Sequence, residues 1–156
     1  MEIEFLKIIH DHQKIIFKIC RIYRDNKEDQ EDLFQEVVYQ LWKSFPSFKG
    51  ESKISSWVYR ITLNTAIAIY RKTKIEINYI EEFPEKIHPS TENKATENAD
   101  RLFGALRKLN DGDKALVSLY LEDFSYQEMA EITGISESNV GVKLNRIKNK
   151  LKIILN

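Results

Sequence analysis

Apolar residues recur along this chain at steps of three and four, the spacing of helices with one buried face. Phe5, Ile8, Ile9, Ile15, Ile16, Ile19, Ile22 and Tyr23 mark a first helix over residues 3–24. The polar run Asp25-Asn26-Lys27-Glu28-Asp29 breaks it. A second helix begins near Asp29, with acids in its first turn where the helix dipole favours them, and carries Leu33, Phe34, Val37, Val38, Leu41 and Trp42. Pro46 and Gly50 mark a loop over 44–52. A third helix runs from about Ser55 through Trp57, Val58, Ile61, Leu63 and Ile67 to about Lys72. Residues 76–98 differ: they are acidic, hold Pro84 and Pro89, and read as a linker. Helical spacing resumes at about Ala99 with Leu102, Phe103, Leu106 and Leu109, and again after Asp113 with Leu116, Val117, Leu119, Tyr120 and Leu121. The pattern predicts an all-α protein of two small helical domains, 1–75 and 99–156, joined by the acidic linker.

Residues 125–151 carry the most specific local signal. Ser125 and Glu128 stand at capping-box spacing before the apolar residues Met129, Ala130 and Ile132. Gly134 follows where a left-handed backbone is easy only for glycine, and Ser136 caps the next helix. Val140, Leu144, Ile147 and Leu151 then line one face at steps of four, three and four. This is the sequence form of a helix-turn-helix, whose second helix enters the DNA major groove. Its other face offers Ser138, Asn139, Val142, Lys143 and Arg146. Short polar groups there reach base edges, while Lys143, Arg146, Lys148 and Lys150 neutralise phosphates.

Charge sharpens the picture. The 156 residues hold 24 Lys and Arg against 24 Asp and Glu, so the net charge is zero. The distribution is uneven. Segment 25–36 is net minus five, 43–74 net plus six, 75–100 net minus five, and 137–156 net plus four. Two basic segments thus alternate with acidic ones, as a nucleic-acid binder with two contact surfaces would have them, although such blocks also simply solvate helix faces. Arg60, Asn64, Ile67 and Arg71 share one stripe of the third helix, suited to holding a strand and reading exposed base edges. Trp57 and Tyr59 precede it, and for Trp57 a core role outweighs base contact.

Five glycines and three prolines are few, which disfavours a turn-rich β fold. The single cysteine, Cys20, excludes an internal disulfide and lies in an apolar run that suits a buried thiol. His10 and His12 fall on different helix faces, and no phosphate loop or nucleophile motif is present. The sequence therefore predicts no enzyme, no cofactor and no metal. The amino terminus lacks a basic region and a long apolar stretch, so a cytoplasmic protein without membrane insertion is expected.

At this point the chain resembles a family. Asp32-Leu33-Phe34-Gln35-Glu36-Val37-Val38 with Leu41-Trp42 resembles the core-binding segment "DLxQExF…LW" of extracytoplasmic-function sigma factors. Phe48 to Asn64 is similar to their "FxGxSxFxTWLYRIAxN", and Arg71-Lys72 matches the basic pair that follows. Ser125 to Val140 resembles "SYEEIAEILGISxGTV" of their carboxy-terminal domain. The family's basic residue, Ser and Arg after that Val are replaced by Gly141, Val142 and Lys143, and a helix-interior glycine costs about 1 kcal/mol. The resemblance implies a sigma factor that directs bacterial RNA polymerase to promoters and helps open the minus-ten element. Core polymerase, promoter DNA and an anti-sigma factor are the implied partners. It assigns Asp32, Gln35, Glu36, Tyr39 and Trp42 to core polymerase. Lys49, Ser52, Lys53, Trp57, Arg60, Asn64, Arg71 and Lys72 fall to minus-ten DNA. Ser136, Ser138, Asn139, Val142, Lys143, Arg146 and Lys148 fall to the minus-thirty-five duplex. The competing readings are a one-component helix-turn-helix regulator that never joins polymerase and a helical interaction protein.

Overall fold

A computed structural model describes the backbone of residues 2–77 and 94–156 and the side chains of 2–68 and 97–156. Most of the expected linker, residues 78–93, lies outside the described residues. Among these residues every regular element is helical. They are α1 (Glu2–Tyr23), α2 (Lys27–Ser44), α3 (Ile54–Ile77), α4 (Lys94–Arg107), α5 (Asp111–Leu121), α6 (Tyr126–Thr133) and α7 (Glu137–Leu155), with a 3-10 turn at Phe45–Ser47. The third helix runs past Lys72, and the fourth begins inside the stretch read as linker.

Local chemistry sets most of the helix starts. The side chains of Asn26, Asn110, Ser125 and Ser136 each accept a hydrogen bond from the backbone N–H three residues on, which satisfies a donor the first turn leaves open. At α6 the box is reciprocal, because Glu128 Oε1 also accepts from the Ser125 N–H at 3.0 Å. Gly134 ends that helix at φ 80°. Helix α5 stops differently. Asp123 takes the left-handed conformation at φ 62°, and the N–H groups of Asp123 and Phe124 close back onto the carbonyls of Tyr120 and Leu119. This Schellman arrangement usually recruits glycine.

The first three helices pack on Ile16, Ile19 and Cys20 of α1, Leu33, Val37 and Leu41 of α2, and Val58, Tyr59, Leu63 and Ala66 of α3, all buried. Thr62 and Thr65 enter this core by returning their hydroxyls to the Val58 and Ile61 carbonyls. The last four helices close over Leu106, Leu116, Leu119, Met129, Val140, Leu144 and Ile147. Burial pushes the Cys20 thiol up to about 12.

The two halves pack against each other, chiefly through α1 and α3. Arg107 Nε donates to the Arg21 and Arg24 carbonyls at 2.9 and 3.0 Å, capping the end of α1. Tyr23 donates its hydroxyl to the Asp111 carbonyl at 3.0 Å. Lys18 pairs with Glu122 at 2.9 Å, and Arg21 pairs with Asp100.

Candidate nucleic-acid interface

Three groups of side chains stand apart on this frame. The first lies on α2. Its apolar positions Leu33, Val37 and Leu41 face inward, so the opposite stripe of Asp32, Gln35, Tyr39 and Trp42 is exposed. Glu36 is half-buried and accepts from the Gln40 amide at 3.0 Å. Tyr39 is 55% exposed and Trp42 44%, both high for aromatic residues. Trp42 keeps one side packed, edge-on against Phe5 at 4.9 Å. The exposed stripe thus joins one carboxylate, an amide and two open aromatic rings, residue types that protein interfaces use.

The second group surrounds the loop before α3. Gly50 turns the chain at φ 73°, leaving Lys49, Ser52 and Lys53 exposed. Trp57 is half-buried, tilted on Phe48 at 4.9 Å and farther from Phe45, so it braces the loop as well as edging the surface. Arg60 and Asn64 are exposed one turn apart on α3, with Ile67 half-buried beyond them. The side chains of Arg71 and Lys72 lie outside those described. Arg60 Nη2 donates to the Glu131 carbonyl at 3.3 Å, and Lys53 Nζ lies 3.2 Å from Glu128 Oε2. The carboxyl of Glu128 is held below the usual carboxylate range, first by the Ser125 backbone N–H, then by the Ser125 hydroxyl and Lys53.

The third group is the outward face of α7. With Val140, Leu144 and Ile147 buried, Ser138, Asn139, Val142 and Arg146 are exposed. As the cap, the Ser136 hydroxyl oxygen accepts from the Asn139 N–H at 3.2 Å. Lys143 is also exposed but sits at the flank, where it lines a cleft of about 200 Å³ with Arg60, Asn64, Leu63 and Ile67 of α3 and Leu116, Ile132 and Ile135. The structure thus brings one residue read for duplex DNA next to two read for the minus-ten strand.

Lys148 is placed elsewhere. It lies two residues past Arg146, about 200° around a helix of 3.6 residues per turn. Its ammonium sits 4.6 Å from the centre of the Tyr120 ring. Lys150 is tied to the largely buried Asp113 carboxylate at 3.0 Å. Counting cations in sequence had put both lysines on phosphates; their direction around the helix engages them with α5. Asn145 and Asn149, exposed and in line with Ser138 and Val142 at steps of three and four, escaped the sequence reading. The buried stripe's own spacing, shifted to the opposite face, was the signal that would have found them.

Gly141 also has a physical setting. A Cβ built there would meet Cε2 of Tyr126 at 3.4 Å, so position 141 faces α6 and not the groove. Among the described residues no group of His, Cys, Asp or Glu is placed to hold a metal, and no helix is long and apolar enough to cross a membrane.

Comparison with known proteins is consistent along the chain. Residues 8–75 match the family model of Sigma-70 region 2, and residues 99–151 that of Sigma-70, region 4. The chain is 30% identical over 149 residues to RNA polymerase sigma factor SigV of Bacillus subtilis, covering 94% of this chain and 88% of that one. It is 33% identical over 132 residues to sigma factor SigZ of the same organism, covering 80% and 72%. Among solved structures, the sigma factor RpoE in complex with the anti-sigma factor NepR from Bartonella quintana superposes with a TM-score of 0.75 at 21% identity, over 99% of this chain and 95% of that chain. CnrH in complex with the cytosolic domain of CnrY gives 0.74 at 20% identity, over 99% and 89%.

Proposed function

This chain belongs to the extracytoplasmic-function group of sigma-70 factors, which direct RNA polymerase to promoters, and on that premise we propose how its surfaces divide the task. The α2 stripe of Asp32, Gln35, Glu36, Tyr39 and Trp42 binds core polymerase. The loop and α3 residues Lys49, Ser52, Lys53, Trp57, Arg60 and Asn64 hold the melted minus-ten strand, and the family resemblance assigns Arg71 and Lys72 to the same strand. The α7 residues Ser138, Asn139, Val142, Asn145 and Arg146 enter the minus-thirty-five major groove. Lys143 flanks them. The observation that carries this division is the segregation of the exposed polar stripes onto α2, α3 and α7, each opposite a buried apolar stripe of its own helix.

The chemistry required is binding, not bond-making. A flipped or unstacked base offers edges that a duplex hides, and an amide such as Asn64 donates and accepts at once, which matches such an edge. Arg60 supplies charge to the neighbouring phosphate. The protein acts without its own catalysis and in the cytoplasm, where polymerase is. A one-component regulator is not favoured, because the region 2 match covers the half that such a regulator would not need. NepR beside RpoE and CnrY beside CnrH support an anti-sigma factor as a restraining partner here too.

The test is Asn64→Ala in holoenzyme assembled with core polymerase. Open-complex formation and affinity for single-stranded minus-ten oligonucleotides should fall, by roughly 1–3 kcal/mol for a lost base-edge contact. Binding to a minus-thirty-five duplex should stay unchanged. Single-strand affinity within a factor of two of the parent refutes the assignment of Asn64.

A further inference from the structure

One residue on the outward face of α7 differs in kind from its neighbours. Ser138, Asn139, Asn145 and Arg146 are exposed and polar, and Val142 sits in their midst at steps of three and four. At about 100° per residue, the buried Val140 and Leu144 each fall about 160° away from it, one on either side. Val142 therefore points directly away from the apolar stripe, along the centre line of the exposed face. It is 49% exposed, and it belongs neither to the core nor to the apolar residues packed against the core. Packing gives no reason for a valine here. Helix propensity gives none either, since β-branched side chains are stiff in a helix and rank below the straight-chain residues. A single valine on a surface is ordinary. This one stands at the centre of a face whose other members all form hydrogen bonds. The Ser136 cap puts it within the first two turns of α7, the part of a recognition helix that faces base edges.

We propose that Val142 reads the 5-methyl group of a thymine in the minus-thirty-five major groove and so selects a T·A pair at that position. The proposal rests on the placement of α7 in that groove. The chemistry leaves one choice of base. A valine side chain neither donates nor accepts a hydrogen bond. In the major groove guanine, adenine and cytosine present donors or lone pairs, and thymine alone adds a methyl group. Against the first three, the isopropyl group takes water from a polar edge and returns no bond. Against thymine it covers apolar surface with apolar surface. A rise of about 1.5 Å per residue sets Asn139 and Asn145 about 4.5 Å before and after Val142. Base pairs are about 3.4 Å apart, so those amides fall on neighbouring pairs and leave the central one to the valine. Val142 carries no charge, so it governs which sequence is bound and leaves the salt dependence to Arg146.

The experiment uses holoenzyme assembled with core polymerase and a minus-thirty-five duplex selected from a randomised library. Each thymine of the selected element is replaced in turn by uracil, which removes the methyl group and keeps every hydrogen-bonding group in place. One replacement should weaken binding about fourfold, the worth of one buried methyl group. In Val142→Ser the same replacement should cost less than twofold, and selection from the library should relax at that base pair. Serine and valine have similar helix propensities, so urea stability should stay at the parent value and lost discrimination is not unfolding. A parent indifferent to every uracil replacement overturns the proposal, and so does a fourfold cost that persists in Val142→Ser. Asn139→Ala and Arg146→Ala on the same duplexes then separate the two ideas. Weaker binding in either variant leaves α7 in the groove, and parental binding in both removes that placement as well.

Discussion

Arg146 and Lys148 are two cations two residues apart, and removing each should have opposite consequences. Arg146 stands exposed on the outer face of α7 among Ser138, Asn139 and Val142. If it meets a phosphate, Arg146→Ala weakens all minus-thirty-five duplexes about equally and lowers the slope of log affinity against log salt by about 1, since one fewer counterion is released. Lys148 instead lies over the Tyr120 ring at 4.6 Å, a cation–π contact worth about 0.5–1 kcal/mol at an exposed site. Lys148→Ala should therefore cost about that much in stability and leave the salt slope unchanged. The assay is duplex binding of the full-length variants at several salt concentrations, with urea unfolding beside it to read the stability directly. A fall of about 1 in the slope for Lys148→Ala, with parental stability, would show that the helix is rotated in the groove from the orientation argued here.

Ser125→Ala removes one half of the reciprocal box at α6, whose two bonds measure 3.0 and 3.1 Å, and should lower stability by about 1 kcal/mol in urea unfolding. Gly141→Ala should raise stability by about 0.5–1 kcal/mol, because an added methyl meets Tyr126 at ordinary contact distance and relieves a glycine in mid-helix; a loss would mean that α6 and α7 pack more tightly there. Burial raises the Cys20 thiol to about 12, so at pH 8 it stays protonated in the native protein and should react with maleimide only after denaturant is added. Prompt labelling of the native chain would contradict that burial.

The helix-turn-helix was legible in the sequence because each of its signals is local: Ser125 with Glu128, Gly134, Ser136 and a four-three-four apolar stripe. The α2 stripe was assigned from the family resemblance and not from local pattern. The stop after α5 was not, since Asp123 does there what glycine usually does, and an aspartate in sequence does not announce a left-handed backbone. The direction of Lys148, toward Tyr120, was not legible because charge was counted along the chain and not around the helix. Nothing local foretold that Phe124 would seal Tyr59, or that Arg107 would cap α1; these contacts join residues 65 and more than 80 positions apart, and only the packed molecule brings them together.

The four side-chain caps have a consequence for how often this molecule can be taken apart. Asn26, Asn110, Ser125 and Ser136 each satisfy an amide three residues ahead on the same helix. None borrows its partner from another element. When the halves separate, what is lost is the seam between them, while each of these helix starts remains specified by its own few residues. Structure of such short sequence separation re-forms in microseconds to milliseconds. Were the halves parted at a promoter, these helix starts would therefore persist, and the packed shape would return far faster than a new copy could be made.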